Sequence, residues 1–149
     1  MPMNTFTELQ RFRQWWLWGI VGICTIIGIS GILVDSSAWP VLLVVLVLPI
    51  FMWVYRLDTR FDRESIHYRA FPLFGWRTIY WTDITKATVT TYAFVGYGIR
   101  WNFGEWVYNV NGNQGLRIET SSGKRILIGT QRPDEVRVFL ASNNALFTS

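Results

Sequence analysis

The chain is short of the residues from which catalytic centres are built. Its 149 residues include one cysteine, Cys24, and one histidine, His67. A single thiol excludes an intramolecular disulfide, so the fold does not depend on an oxidising compartment. One Cys and one His, with scattered carboxylates, are too few for a metal cluster. His67 falls in a candidate strand, SIHYRAF, facing away from Ile66 and Tyr68. No Ser–His–Asp or Cys–His arrangement can be drawn around it, and it reads as a packed or solvated side chain. No catalytic residue, metal or cofactor is expected.

Charge is also missing, from one long segment. Between Trp15 and Tyr55 the only charged residue is Asp35. Residues 15–34, WWLWGIVGICTIIGISGILV, are long enough to cross ~30 Å of hydrocarbon as a helix. Residues 39–55, WPVLLVVLVLPIFMWVY, would span roughly 26 Å. Only DSSA separates them, which predicts an antiparallel transmembrane hairpin. Arg11 and Arg13 precede it, and Arg56, Arg60 and Arg63 follow it. The positive-inside rule then places both termini in the cytoplasm of a multi-pass inner-membrane protein. Trp15, Trp16, Trp18, Trp53 and Tyr55 would form the belt at that interface, with Trp39 on the far side. A rival reading takes residues 1–38 as a signal peptide cleaved after a small-x-small site at Ser36 and Ala38. The long apolar core and the second span argue against it. Cys24, Gly28 and Gly31 share a helical face and are expected to let the partner helix approach. Pro49 is expected to kink the second helix.

Beyond the helices the patterning changes. Residues 56–149 read as short strands at 57–62, 65–71, 77–82, 85–93, 98–102, 106–110, 115–120 and 124–129, followed by an amphipathic helix over about 133–147. Ile66, Tyr68 and Ala70 alternate with His67 and Arg69, and Leu116 and Ile118 with Arg117 and Glu119. Such alternation suits an antiparallel sheet with one wet face. SSG, 121–123, fits a hairpin turn. In the helix, Val136, Phe139 and Leu140 share a face, with Phe147 near it. The organisation expected is a cytoplasmic segment at 1–14, a helical hairpin at 15–55 and a cytoplasmic domain at 56–149.

"SIHYRAFPLFGWRTIYWTDIT", followed by "GNQGLRIETSSGKRILIGTQRPDEV", resembles the pleckstrin-homology-like (PH-like) domains that follow two membrane helices in bacteria. The likeness covers roughly 57–142. It implies an α+β fold: an antiparallel barrel or sandwich of about seven strands capped by a C-terminal helix. It also implies a binding or assembly module rather than an enzyme.

Two sets of residues outside the helices are candidates for binding. Arg56, Arg60 and Arg63 lie beside the membrane exit, where anionic head groups attract each basic residue by ~1 kcal/mol. Asp58, Asp62 and Glu64 alternate with them, which weakens the case for a specific lipid pocket. The stretch YAFVGYGIRWNFGEWVY, 92–108, is crowded with aromatics. Tyr97, Trp101, Phe103 and Trp106 are the candidates for an exposed partner-binding patch. The charge there is too low for nucleic acid, despite a net charge of +4. Protein assembly or self-association at the membrane is the leading expectation, and sensing of the lipid surface the alternative.

ILIGTQRPDEVRVFL, 126–140, has the parts of a phosphate cradle: strand, glycine turn, helix start. Asp134 and Glu135 already occupy the first turn, where the helix dipole favours them. Pro133 removes an amide donor. The stretch is expected to be a corner that returns Val136, Phe139 and Leu140 over the sheet.

Overall fold

A computed structural model describes residues 5–93 and 98–142. The chain runs β1 (Phe6–Arg11), α1 (Trp15–Val34), a short 3-10 turn (Ser36–Ala38) and α2 (Trp39–Val54). Strands β2 (Arg56–Phe61), β3 (Ser65–Phe71) and β4 (Arg77–Tyr80) follow. A second 3-10 turn (Trp81–Asp83) leads to β5 (Ile84–Thr91), β6 (Gly98–Asn102), β7 (Glu105–Asn109), β8 (Gln114–Thr120) and β9 (Arg125–Gly129). The last element is α3 (Pro133–Ser142). There are two compact units. One is the helical segment 12–55, and the other joins β1 to everything from Arg56 onward.

In the helical unit, both helices are long and apolar enough to cross a membrane. Only Val21 and Gly28 of α1 and Met52 of α2 are buried, so nearly every apolar side chain points outward. Water is a poor solvent for such a surface and hydrocarbon a good one. The hydroxyls of Thr25 and Ser30 donate to the carbonyls of Val21 and Ile26, each at 2.8 Å, which satisfies them inside the helix. Asp35 caps the connecting turn by accepting from the Ser37 amide at 2.9 Å. The small-residue face is used unevenly. A Cβ at Gly28 would meet Val45 at 3.1 Å, so α2 approaches closely there. A Cβ at Gly31 would meet nothing within 4 Å, and Cys24 is exposed.

The other unit is mixed α+β, with two sheets. The first has four antiparallel strands in the order β1-β2-β3-β4. The second has five, in the order β5-β8-β9-β7-β6. The expected barrel is not closed, and the second sheet is not wholly antiparallel. β8 and β9 form the expected hairpin, but it inserts β9 beside β7, and those two strands run parallel from Glu105↔Arg125 to Tyr108↔Ile128. β9 is therefore central, and Ile126, Leu127 and Ile128 are all buried. Gly115 and Gly129 pair across β8 and β9, where a Cβ on Gly115 would lie 2.7 Å from the Ile128 carbonyl. Only glycine allows that approach.

The inward alternation expected for β3 and β8 is present: Ile66, Tyr68, Ala70, Leu116 and Ile118 are buried. α3 completes this core with Val136 and Phe139, both fully buried. The Phe139 ring lies 6.0 Å from that of Phe61 and 6.3 Å from that of Trp81. Full burial of one such ring stabilises by about 2–3 kcal/mol. Phe147 lies outside the described residues.

One strand was not expected. Residues 1–14 read as a segment ahead of the first helix, yet Phe6–Arg11 forms β1 and pairs along its whole length with β2. Its register ends at Arg11↔Arg56. The helical segment is thus spliced into a β-hairpin, replacing the turn between β1 and β2.

Candidate functional site

The most unusual geometry is at the tip of the β6–β7 hairpin. Asn102 pairs with Glu105, which leaves Phe103 and Gly104 as a two-residue loop. Both have positive φ, +44° and +86°. Positive φ at both loop residues is the backbone of a type I′ turn, for which Asn-Gly is the favoured pair. Gly104 fits. Phe103 does not: an L-residue with a bulky side chain loses roughly 1–2 kcal/mol in the left-handed region. Nor does the ring gain by burial, since Phe103 is 98% exposed.

The residues behind the tip are aromatic as well. Trp101 and Trp106 face each other in register, their rings edge-to-face with centroids 5.2 Å apart. Both are exposed. A cross-strand aromatic pair of this kind stiffens a hairpin. Glu105, beside the turn, is buried and accepts from Arg117 Nε at 2.7 Å and Nη2 at 3.2 Å. Its charge is neutralised from within the sheet, which leaves the tip apolar. Trp101, Phe103 and Trp106 are thus brought together on one hairpin. Tyr97 lies outside the described residues.

The basic set is not brought together. Arg56 pairs with Asp58 at 3.3 Å and stacks over the Phe71 ring. Asp58 is buried and is also gripped by Arg69. Arg60 stands four residues further along β2 and is exposed, and Arg63 lies in the β2–β3 turn beyond it. Three arginines spread along a strand and its turn do not form a pocket.

His67 lies in a polar cluster with Asp62 and Ser65, beside a cleft of about 460 Å³. Its Nε2 is 3.0 Å from Asp62 Oδ2 and 2.9 Å from Ser65 Oγ, while Nδ1 is 2.8 Å from Thr78 Oγ1. A nucleophile relay places the hydroxyl and the carboxylate on opposite ring nitrogens. Here the Ser65 hydroxyl and the Asp62 carboxylate meet the same nitrogen, and the Thr78 hydroxyl meets the other. Asp62 also accepts from the Ser65 amide at 2.8 Å and the Glu64 amide at 3.1 Å. Burial pushes its pKa up, but the Ser65 and Glu64 amides, the Ser65 hydroxyl and His67 outweigh it and hold Asp62 below its ordinary value. The cluster ties the β2–β3 turn. Among the described residues no group of three or more His, Cys, Asp or Glu is placed to hold a metal.

The β9–α3 corner does hold an acidic group, and it comes from the chain itself. Glu8 of β1 accepts from the Thr130 hydroxyl at 2.6 Å and the Gln131 amide at 2.8 Å. Gln10 donates to the Gly129 carbonyl at 2.6 Å. Arg132 donates to the Thr7 carbonyl at 3.2 Å and pairs with Glu135. Burial raises the pKa of Glu8, against the pull of Thr130, Gln131 and Arg132. Sequence reasoning weighed an external phosphate at this corner and set it aside. It missed that a carboxylate more than a hundred residues away in the chain takes the place.

The chain matches none of the protein-family models and none of the curated proteins with which it was compared.

Proposed function

We propose that the chain is a membrane-anchored, non-enzymatic binding module of the PH-like kind. It works at the inner face of a bacterial membrane, with both termini cytoplasmic. It assembles there with a membrane-protein partner or with a second copy of itself. The PH-like reading draws on two apolar helices followed by packed sheets and one C-terminal helix. The extra strand β1 and the parallel β7–β9 pair depart from the simplest form of that fold.

Phe103 carries the binding reading. It is strained where it stands and gains no burial, so the folded domain alone supplies no reason for it. A partner that covered the ring would. A Phe side chain exposes enough area to contribute about 2 kcal/mol when buried in a matching pocket, and Trp101 and Trp106 flank it as further anchors. The test is to extract wild type and Phe103→Asn from native membranes in mild detergent and measure the mass of each. Wild type runs as a complex or oligomer, and the variant runs as the monomer with an unchanged circular dichroism spectrum. A wild type that is strictly monomeric and carries nothing contradicts the proposal.

A further inference from the structure

We propose that Phe71 and the β3–β4 loop, residues 72–76, form a contact with an anionic bilayer surface. The inference rests on the reading of α1 and α2 as membrane spans and adds a surface distinct from the β6–β7 tip.

Chain continuity gives the first argument. Arg56 is separated from the end of α2 by Tyr55 alone, so its Cα lies within about 8 Å of that of Val54. Phe71 pairs with Arg56 on the neighbouring strand, about 5 Å away. The row Arg11–Arg56–Phe71 is therefore the first row of the sheet beyond the helices. The layer of head groups on each side of a bilayer is about 5–8 Å thick. The chain holds Arg56 within about that distance of the last residue of α2, with Arg11 and Phe71 one strand spacing to either side.

Composition gives the second. Phe71, Leu73 and Trp76 are 41%, 54% and 51% exposed. The turns at 62–64 and 121–124, by contrast, carry Asp62, Arg63, Glu64, Ser121, Ser122 and Lys124. Arginines stand over the aromatic rings: Arg56 over Phe71 at 5.2 Å, Arg69 over Trp76 at 4.7 Å, Arg77 over Phe74 at 4.3 Å. Arginine beside tryptophan suits the head-group layer, where the ring meets the acyl boundary and the guanidinium meets phosphate. Asp58 offsets Arg56 and Arg69, but among the described residues no carboxylate pairs with Arg11 or Arg77. The surface is net positive, which fits anionic lipid.

Rigidity gives the third. Phe74 turns inward, edge-on to Tyr68 at 6.0 Å and Tyr108 at 5.6 Å, and its amide donates to the Ala70 carbonyl at 2.9 Å. The loop is thereby pinned with Leu73 and Trp76 outward. Ordering it on contact costs little. This moves the lipid contact from Arg60 and Arg63 to Arg11, Arg56, Phe71, Leu73 and Trp76. Arg60 stands about 13 Å along the strand from Arg56.

The test uses the full chain with Cys24→Ser and Leu73→Cys, labelled with an environment-sensitive dye. Trp76→Cys is the second labelling site if the first variant does not fold. The protein is reconstituted in phosphatidylcholine vesicles with and without phosphatidylglycerol. The same dye on Ser122→Cys, in the β8–β9 turn, is the reference. Flotation with the vesicles tests the spans separately. The expected result is blue-shifted emission at position 73, quenched by a head-group nitroxide lipid several-fold more than at 122, protected from iodide, and strengthened by phosphatidylglycerol. A dye that iodide reaches as freely at 73 as at 122, in protein that floats, overturns the proposal. A dye shielded from both quenchers also overturns it, because the loop is then covered by protein.

Discussion

At φ +44° the Cβ of Phe103 crowds the backbone of its own turn, and water surrounds the ring. Asparagine tolerates that backbone far better, so Phe103→Asn should stabilise the domain by about 1 kcal/mol while weakening assembly. Thermal unfolding of the two proteins checks the first half: a lower Tm for the variant would show that the ring supports the fold. Sequence reasoning reached Trp101, Phe103 and Trp106 because aromatics are dense there. It could not say which ring projects, since that follows from the pairing of Asn102 with Glu105. Glu8 makes a second residue-scale prediction. Its pKa is raised by burial above the ordinary 4.5, despite the hydrogen bonds from Thr130 and Gln131. A raised pKa means that the folded state holds the proton more tightly than the unfolded chain. The stability this supplies is fully present below pH 4.5 and is lost as pH rises through the raised value. Glu8→Gln removes the titration, so the Tm of the variant relative to wild type should climb across that window. A difference that stays flat with pH would refute this account of Glu8.

β1 is the element that local patterning could not disclose. In FTELQR the inward residues are Phe6, Glu8 and Gln10, while Leu9 faces out and is 53% exposed. Hydropathy therefore reads the strand in the wrong phase. The Glu8 carboxyl and the Gln10 amide nitrogen find their partners at the β9–α3 corner, a match visible only in three dimensions. β3, β8, β9 and α3 were legible because their inward faces are largely apolar. The parallel β7–β9 pair was not, because alternation reports facing and says nothing of strand order. The splice of β1 onto β2 predicts how the domain can be freed from its helices. A chain beginning at Arg56 loses Phe6 and the Glu8 and Gln10 bonds, a loss of at least about 3 kcal/mol by comparison with Phe truncations in cores. Joining residues 5–11 to 56–142 through a short glycine-containing turn should restore a soluble, cooperatively unfolding domain. Equal stability of the two chains in urea would show that β1 is dispensable. In the helical unit, Gly28→Ile should weaken packing of α1 on α2, because its Cβ already meets Val45 at 3.1 Å, whereas Gly31→Ile should not. Denaturation in detergent, followed by circular dichroism, separates the two.

At the scale of the molecule, the two units answer to two solvents. The outward apolar surface of α1 and α2 calls for hydrocarbon, and the two sheets with α3 hold a core of their own. The chain passes from one unit to the other through β1 and β2, which pair with each other. The β6–β7 tip is a surface with no account inside the fold, and that is where the central claim is exposed to test. A photo-crosslinking amino acid is placed at position 103 of the full chain in native membranes, with Ser122 as the reference position. The account predicts one discrete, reproducible protein adduct at 103, either a partner or a second copy, and none at 122. Illumination that yields only lipid or solvent products at 103, from protein that is folded and membrane-bound, would contradict it.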